Sequence, residues 1–215
     1  MMNRTMKLHM LSDIFVLTGF GLIQPILEIF IDHGVAGGTV LTAGLASTIF
    51  LLTKSLVQLP FAIYIDDHGK KTRWRILGTL LIAIVPILYV TADSMYKIYL
   101  AELIYGLGSG LAYPTWLGLW TSNLNQGRES FQWSIYSTST NIGTAAAGTV
   151  GAAMANVAGF TTTFLLAGVM CLLGCVTLLV LERRSSEKVR DRKKAEAHFR
   201  RSGRIFSALE GLLKL

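Results

Sequence analysis

Charged residues are scarce in this sequence. Only 15% of its 215 residues are Asp, Glu, Lys or Arg, whereas 52% are hydrophobic. A soluble globular domain carries about 25% charged residues, and the mean hydropathy of this chain is +0.49. The composition therefore excludes an ordinary soluble enzyme domain and predicts an integral membrane protein.

Cysteine and histidine are also rare. The two cysteines, Cys171 and Cys175, lie in one apolar run, and the four histidines are scattered. This excludes a disulfide scaffold and supplies too few ligands for a metal site. The sequence contains no cluster of His and carboxylate, no nucleophile with a base on an adjacent turn, and no phosphate-binding loop. We therefore expect no catalytic residue, no metal, no cofactor and no enzymatic activity.

Long apolar runs make up most of the sequence before the tail. A window of about 19 residues finds six of them, and a helix needs about 20 apolar residues to cross a bilayer. Their length and the lack of strict alternation favour helices over barrel strands. The sequence predicts an all-α membrane domain over residues 1–181, with helices near 11–31, 41–65, 76–93, 97–121, 131–155 and 161–181.

The cations lie on one side of this predicted bundle. Arg4 and Lys7 precede the first helix, a basic loop follows the second, and 11 of the 20 Lys and Arg residues follow Leu181. Only Lys97 is predicted on the opposite side. By the positive-inside rule, both termini face the cytoplasm, and we expect residence in the plasma (inner) membrane. The net charge of +7 belongs mainly to the tail, so the expected partner is the lipid bilayer and not nucleic acid.

The basic cytoplasmic tail, residues 182–215, leaves two alternatives open. Its last segment places Ile205, Phe206, Leu209 and Leu212 at helical spacing. This spacing is typical of an amphipathic helix that lies in the membrane interface. A partly disordered tail or a linker accounts equally well for the same composition.

An internal repeat indicates a class of function. A four-residue pattern recurs after 89 residues: Asp13, Gly19, Gly21 and Pro25, then Glu102, Gly108, Gly110 and Pro114. The same shift carries the first three predicted helices onto the last three. Because three is an odd number, the second unit must be inverted, and inverted repeats are a recurring plan of secondary transporters. The predicted fold is therefore six transmembrane helices as two inverted three-helix repeats.

The loop after the second predicted helix, PFAIYIDDHGKKTRWR, resembles the loop signature of the major facilitator superfamily (MFS). Asp66, Gly69, Lys70 and Lys71 match that signature, and Ala62 stands where the family usually has glycine. The resemblance covers essentially the whole predicted membrane domain and implies the N-terminal six-helix half of an MFS transporter. It implies that Asp66 and the cations form a gating latch, with a solvated topogenic loop as the alternative.

The fourth and fifth predicted helices also resemble those of the family. Glu102 stands where the family usually has an arginine, so the proton-linked role of that arginine is not carried over. Small residues of the fifth helix resemble the family's antiporter signature, with Gly148 in place of the expected proline. The expected positions of helix packing or bending are Gly19, Gly21, Pro25, Gly106, Gly108, Gly110, Pro114, Gly143, Gly148 and Gly151.

The few ionisable residues inside the predicted helices are candidates for a substrate or proton pathway. Lys54 lies deep in the second helix and should face the bundle interior, with a partner or water. Glu28 and Glu102 lie on the outer side, where they either share a proton as a coupled pair or reach interfacial water. Tyr113 is a further pathway candidate, whereas Asp13 is expected at a helix end or interface.

The predicted function is secondary active transport of a small-molecule substrate by alternating access, coupled to protons, by a half-transporter or an incomplete MFS chain. Related members have about twelve helices in two halves. We therefore expect either a homodimer or a separate second half. The alternative is a non-transporting membrane assembly or regulatory module, in which Lys54, Glu28 and Glu102 can become apolar without loss of function.

Overall fold

The protein is built from α-helices. The computed structural model describes residues 4–69 and 71–212, with side chains over residues 5–69 and 71–183. Five helices follow one another along the chain: α1 (Arg4–Gly34), α2 (Val40–His68), α3 (Lys71–Val90), α4 (Met95–Thr121) and α5 (Glu129–Leu212). Within this described part, β-type pairing is confined to an isolated bridge between Ala36 and Ser94.

α5 contains a break at Gly159. This residue has φ 83° and ψ 165°, a backbone conformation outside the helical region. Glycine adopts it at little cost because it lacks a Cβ atom. The break divides α5 into an N-terminal arm, residues 129–158, and a C-terminal arm that starts at residue 160. The fifth and sixth predicted helices fall in these two arms.

Four helical stretches among the described residues are long and apolar enough to cross a membrane: Thr5–Gly34, Val40–His68, Lys71–Val90 and Glu129–Arg183. The last stretch contains the N-terminal arm of α5 and the C-terminal arm as far as Arg183. α4 has 27 residues and is not among these four stretches. The apolar helices identify an integral membrane protein.

Several helix ends differ from the predicted boundaries. α1 begins at Arg4 instead of near residue 11, and α3 ends at Val90 instead of near residue 93. Hydropathy locates only the apolar run, whereas helical hydrogen bonding continues into polar residues or stops before the run ends.

The chain forms two compact units, Met1–Leu179 and Val180–Leu215. The first contains α1 to α4 and α5 as far as Leu179. In the second, the helix of α5 continues to Leu212. The predicted amphipathic stripe of the tail falls on side chains outside the described residues, and it stays a prediction.

Hydrogen bonds stabilise the α1–α2 and α3–α4 loops and tie them together. The Thr39 hydroxyl accepts from the N–H of Thr42 at 3.2 Å, and the Thr42 hydroxyl accepts from the N–H of Thr39 at 2.8 Å, which caps α2. Lys97 donates to Asp93 at 2.6 Å and holds the pKa of that carboxyl below its usual value. Ala36 N–H donates to the Asp93 carbonyl at 3.1 Å.

α4 packs closely against α2 and α3 through glycines. A Cβ atom placed on Gly106 would lie 2.7 Å from a side-chain carbon of α2, and one placed on Gly110 would lie 2.8 Å from another. Gly108 faces α3, where a Cβ would lie 2.8 Å from the carbonyl oxygen of Gly78. These glycines therefore set how closely the helices approach.

α1 makes similar contacts with both arms of α5. A Cβ on Gly19 would lie 2.9 Å from the Ala167 carbonyl oxygen in the C-terminal arm. One on Gly21 would lie 2.9 Å from the Thr144 carbonyl oxygen in the N-terminal arm. From the opposite direction, Gly151 lies against the backbone of Leu22. α1 therefore approaches α5 as closely as α4 approaches α2 and α3.

The remaining predicted packing positions differ in crowding. A Cβ on Gly143 would lie 3.0 Å from Thr18 Oγ1, whereas the nearest atom at Gly148 is 3.8 Å away. Gly148 therefore has room for a methyl group. Pro25 and Pro114 both lie inside helices, and Pro114 is buried whereas Pro25 is exposed.

Candidate functional site

A cavity of about 260 Å³ lies among α1, α2, α3, α4 and the N-terminal arm of α5. Three charged side chains line it, those of Asp13, Lys54 and Arg75. The wall is otherwise rich in aromatic residues, namely Phe20, Phe50, Tyr105, Tyr113, Trp116 and Tyr136. Charged groups that face a cavity between apolar helices mark this region as the candidate site.

Asp13 of α1 and Arg75 of α3 form an ion pair inside the bundle. Arg75 Nη2 lies 2.5 Å from Asp13 Oδ1, with 3% of the Arg75 side chain and 16% of the Asp13 side chain exposed. The second guanidinium arm lies 2.7 Å from His9 Nδ1. Because a guanidinium group only donates, His9 Nδ1 accepts this hydrogen bond. Arg75 therefore has partners on both sides.

Trp116 and Tyr136 complete the surroundings of Asp13. Trp116 Nε1 donates to Asp13 Oδ2 at 2.8 Å, and the Tyr136 ring packs against Trp116, with 5.3 Å between centroids. A buried ion pair is tolerated when further hydrogen bonds satisfy its remaining lone pairs. The hydrogen bonds join α1 to α3 and α4 in the cavity wall.

Lys54 lies near the middle of α2, fourteen residues after Val40 and so about 21 Å along the helix axis. Its ammonium group is 5.0 Å from the centroid of the Tyr113 ring and 5.9 Å from that of Phe50. Over residues 5–69 and 71–183, no carboxylate forms an ion pair with it. An uncompensated cation at membrane depth costs about 2.5 kcal/mol or more, whereas cation–π contacts contribute about 0.5–2 kcal/mol. The charge of Lys54 is therefore only partly offset.

A stack of three rings forms one wall of the cavity. Tyr105 of α4 lies between Phe20 of α1, at 4.4 Å between centroids, and Phe50 of α2, at 4.2 Å. The rings are inclined by 11° and 19° to Tyr105. Such stacked pairs add about 0.5–1.5 kcal/mol each beyond area burial. The stack presents a flat apolar surface close to Lys54.

The two predicted outer carboxylates occupy different surroundings. Glu102 is 4% exposed, and its Oε1 accepts a hydrogen bond of 2.6 Å from the hydroxyl of Tyr89 on α3. Glu28 is exposed. Neither lines the cavity. The coupled pair stays a prediction, and burial makes Glu102 the stronger candidate for a proton-binding group.

The loop signature forms an exposed ion pair. Lys71 Nζ lies 2.6 Å from Asp66 Oδ1, and 71% of the Asp66 side chain is exposed. Gly69 has φ 65° and ψ −145°, which favours glycine strongly, and its N–H closes the last turn of α2. A Cβ on Gly118 of α4 would lie 2.7 Å from Lys71 Nζ. The signature thus joins α2, α3 and α4, and Lys70 lies outside the described residues.

The pairing of Asp13 with Arg75 is the feature that sequence reasoning misses. The sequence places Asp13 at a helix end and Arg75 among loop cations, yet only 2% of Arg75 is exposed. The available signal is helical spacing, because Gly78 and Thr79 follow Arg75 by three and four residues on the buried face of α3. Lys54 and Tyr113, which the sequence does single out, lie together in the cavity.

The site suits binding more than covalent chemistry. No group of three His, Cys, Asp or Glu side chains that could hold a metal ion occurs in the described part of the chain. Cys171 and Cys175 are buried thiols away from the cavity. The cavity offers a cation, an ion pair and aromatic faces, which are groups that recognise a small molecule.

Solved structures of transporters share this fold. The POT family transporter PepTSo, in its in meso crystal structure, aligns with a TM-score of 0.68 and 15% identity, over 86% of this chain and 38% of that one. An auto-inhibited POT family peptide transporter aligns with a TM-score of 0.67 and 13% identity, over 85% and 38%. The chain thus spans less than half the length of these structures. No curated protein matches it significantly.

The sequence itself matches a family model. The model described as Major Facilitator Superfamily matches residues 10–213, which is nearly the whole chain. This match confirms the resemblance that the loop signature carries, and the helical fold agrees with it. The chain belongs to the Major Facilitator Superfamily.

Proposed function

We propose that this chain forms one six-helix half of a secondary transporter, which moves a small solute by alternating access coupled to protons. The observation that carries the proposal is the cavity, with the Asp13–Arg75 pair at one end and Lys54 at mid-depth on α2. Ionisable groups that face a cavity between apolar helices are typical of substrate and ion pathways. Family membership supports transport over catalysis.

We also propose that the six helices form two inverted repeats, α1 to α3 and then α4 with the two arms of α5. The close contacts support this arrangement. Gly21 and Gly19 of α1 face the two arms of α5, while Gly110 and Gly108 of α4 face α2 and α3. The shift of 89 residues converts one set of contacts into the other. Such repeats place a substrate site at their interface.

Two charged networks are proposed to close the cytoplasmic side. One is the ion pair of Asp13 and Arg75, which joins α1 to α3, and the other is the pair of Asp66 and Lys71 at the signature loop. Both lie near helix ends that the positive-inside rule assigns to the cytoplasm of the plasma (inner) membrane. Ion pairs between helices that move apart are contacts that differ between two conformational states.

The decisive experiment measures access to the cavity from both sides of the membrane. Ser109→Cys, in a Cys171→Ala/Cys175→Ala background, places a thiol in the cavity wall. A membrane-impermeant maleimide is applied to right-side-out and to inverted vesicles. Alternating access predicts labelling in both preparations, because the cavity opens to each side in turn.

Exposed positions outside the cavity provide the matched controls. Thr91 directly follows α3, and Ser130 lies in the first turn of α5, at opposite ends of the predicted bundle. Thr91→Cys and Ser130→Cys should therefore each react in only one preparation. The topology above places Ser130 on the cytoplasmic side. If Ser109→Cys also reacts from one side only, the alternating-access proposal is wrong and the non-transporting module is favoured.

Proton coupling is proposed to depend on Glu102, the buried carboxylate that accepts from Tyr89. A coupled proton should make the ratio of inward to outward labelling at Ser109→Cys depend on pH. Glu102→Gln should abolish that dependence, whereas Glu28→Gln, at an exposed position, should retain it. A pH dependence that survives Glu102→Gln would remove Glu102 from the proton pathway.

A facing six-helix unit is proposed to complete the path. A second copy related by a two-fold axis along the membrane normal would keep the topology of the first. It would place two copies of the cavity face to face. The proposed assembly is therefore a homodimer, with a separate second half as the alternative.

A further inference from the structure

The charge of the cavity is unbalanced. Its lining contains one carboxylate, Asp13, and two cations, Lys54 and Arg75. Asp13 and Arg75 neutralise each other in an ion pair of 2.5 Å, which leaves a net charge of +1. Lys54 supplies that charge.

Lys54 is also the cation in the lining that is not engaged by protein hydrogen bonds. Arg75 is held by Asp13 and His9, whereas Lys54 has aromatic faces near it and no ion-pair partner within residues 5–69 and 71–183. A lysine ammonium has three donors. These donors remain available to a ligand that enters the cavity.

The surroundings of Lys54 are apolar and flat. Phe50 and Tyr113 lie within 6 Å of its ammonium group, and Phe50 belongs to the ring stack with Tyr105 and Phe20. A ligand that places an anionic group on Lys54 therefore places its remaining atoms against aromatic rings. Such rings favour planar or apolar bodies.

The size of the cavity sets a limit on the ligand. Its volume of about 260 Å³ lies below the range of about 300–1,000 Å³ that is typical of sites for drug-sized ligands. The described chain alone therefore holds a small molecule, or one end of a larger one.

Together these observations assign a substrate class, and the assignment rests on the transport function proposed above. We propose that the cavity binds a small organic monoanion, whose carboxylate pairs with Lys54 and whose apolar body lies against Phe50, Tyr105 and Tyr113. Lys54 is a binding residue in this arrangement. The Asp13–Arg75 pair remains intact when the ligand binds.

Binding to the purified full chain tests this assignment with three probes of matched shape. Benzoate carries the negative charge, benzamide is its neutral isostere, and benzylammonium carries the opposite charge. Isothermal titration calorimetry in detergent should show benzoate binding at least about tenfold more tightly than benzamide, the ratio expected for a hydrogen bond to a charged group. Benzylammonium should not bind measurably.

Substitutions at Lys54 locate the charge that is responsible. Lys54→Met should reduce benzoate affinity to the level of benzamide, and Lys54→Arg should retain the preference for the anion. Lys97→Met, at an exposed lysine outside the cavity, is the control and should bind benzoate as the unmodified protein does. Thermal melting of each variant verifies that it is folded.

Three results would overturn the assignment: equal affinity for benzoate and benzamide, no binding of any probe, or full benzoate affinity in a folded Lys54→Met protein. These failures are distinguishable from failure of the transport proposal. Two-sided labelling of Ser109→Cys would persist if only the substrate class were wrong, and it would be lost if the chain did not alternate.

Discussion

Burial separates the two ion pairs that α3 makes. Arg75 and Lys71 lie four residues apart on this helix, and each pairs with an aspartate. The Asp13–Arg75 side chains are 16% and 3% exposed, whereas those of Asp66 and Lys71 are 71% and 27% exposed. Exposed pairs contribute about 0–1 kcal/mol, while removal of one partner of a buried pair costs about 3–5 kcal/mol. The buried pair is therefore expected to contribute more to stability than the exposed pair.

Arg75→Leu is expected to destabilise the protein by about 3–5 kcal/mol, because Asp13 would be left buried without a counter-ion. The double variant Asp13→Leu/Arg75→Leu should recover most of this loss, since it buries no unpaired charge. Thermal unfolding of each purified variant in mild detergent measures both effects.

The exposed pair provides the comparison for this prediction. Lys71→Leu removes the partner of Asp66, where solvent screens the remaining charge, and should lower the melting temperature much less than Arg75→Leu. Equal losses from the two single variants would mean that Arg75 acts through packing and not through its charge.

A sequence shows how far along a predicted helix an ionisable residue lies, but it does not show which residue it pairs with. The sequence identifies Lys54 because a cation at mid-helix is rare in any membrane span. It does not identify the pairing of Asp13 with Arg75, because these residues are 62 positions apart and meet only in the folded bundle. For the same reason, it gives no means to rank Glu102 above Glu28, which burial separates.

At the scale of elements, glycine contacts on α4 hold it beside Lys54. Gly106 and Gly110 are one turn apart and face α2, and a Cβ on Gly110 would lie 3.1 Å from the backbone oxygen of Lys54 itself. Small residues at such spacing let helix backbones approach closely in membranes. The position of the Lys54 side chain in the cavity therefore depends on this contact.

Gly110→Ala should separate α4 from α2 and destabilise the protein by about 1–3 kcal/mol, the range for overpacking of a core. Gly44→Ala is a matched control, because nothing lies within 4 Å of the added methyl group. It should leave stability unchanged or raise it slightly, by about 1 kcal/mol at most. Resistance to unfolding in a denaturing detergent compares the two.

If both alanine variants unfold at the same denaturant concentration, the contact at Gly110 relaxes without cost and does not fix the helix spacing. If Gly110→Ala is less stable but retains benzoate affinity, the contact serves folding alone and not the position of Lys54.

The sequence predicts the positions of the helices better than it predicts the connections between them. Apolar runs are long enough to indicate where helices lie, and the helices from α1 to α4 contain most of the first four runs. The connection near Gly159 shows the limit. A turn of several residues is expected there, whereas a single non-helical residue interrupts α5. Hydropathy does not distinguish these cases because Asn156 and Gly159 suit either one.

At the scale of the whole molecule, all five helices contribute residues to the cavity lining. Its charged residues come from α1, α2 and α3, and three of its six aromatic residues come from α4. A path through the membrane also needs a wall on the opposite side of the substrate. In the proposed assembly, a second copy of the chain supplies it.

The purified 215-residue protein is therefore expected to have twice the monomer mass of 23.5 kDa, once bound detergent and lipid are subtracted. Light scattering with refractive-index and absorbance detection makes this measurement. Reconstitution with a large excess of nanodiscs over protein is the control, because two unassociated monomers then rarely enter the same disc. A protein that stays monomeric in both would contradict the homodimer and favour a separate second half.

The glycine contacts differ in sequence separation, which has a consequence for the order in which they form during biosynthesis. Gly108 of α4 contacts Gly78 of α3, which precedes it by 30 residues. Gly19 of α1 contacts Ala167 of α5, which follows it by 148 residues. Closure of a longer loop costs more entropy and comes later. The contact at Gly19 of α1 therefore forms only after residue 167 has been synthesised, later than the contact of Gly21 with Thr144. A chain stalled before residue 167 is expected to leave the Gly19 face of α1 without its α5 partner.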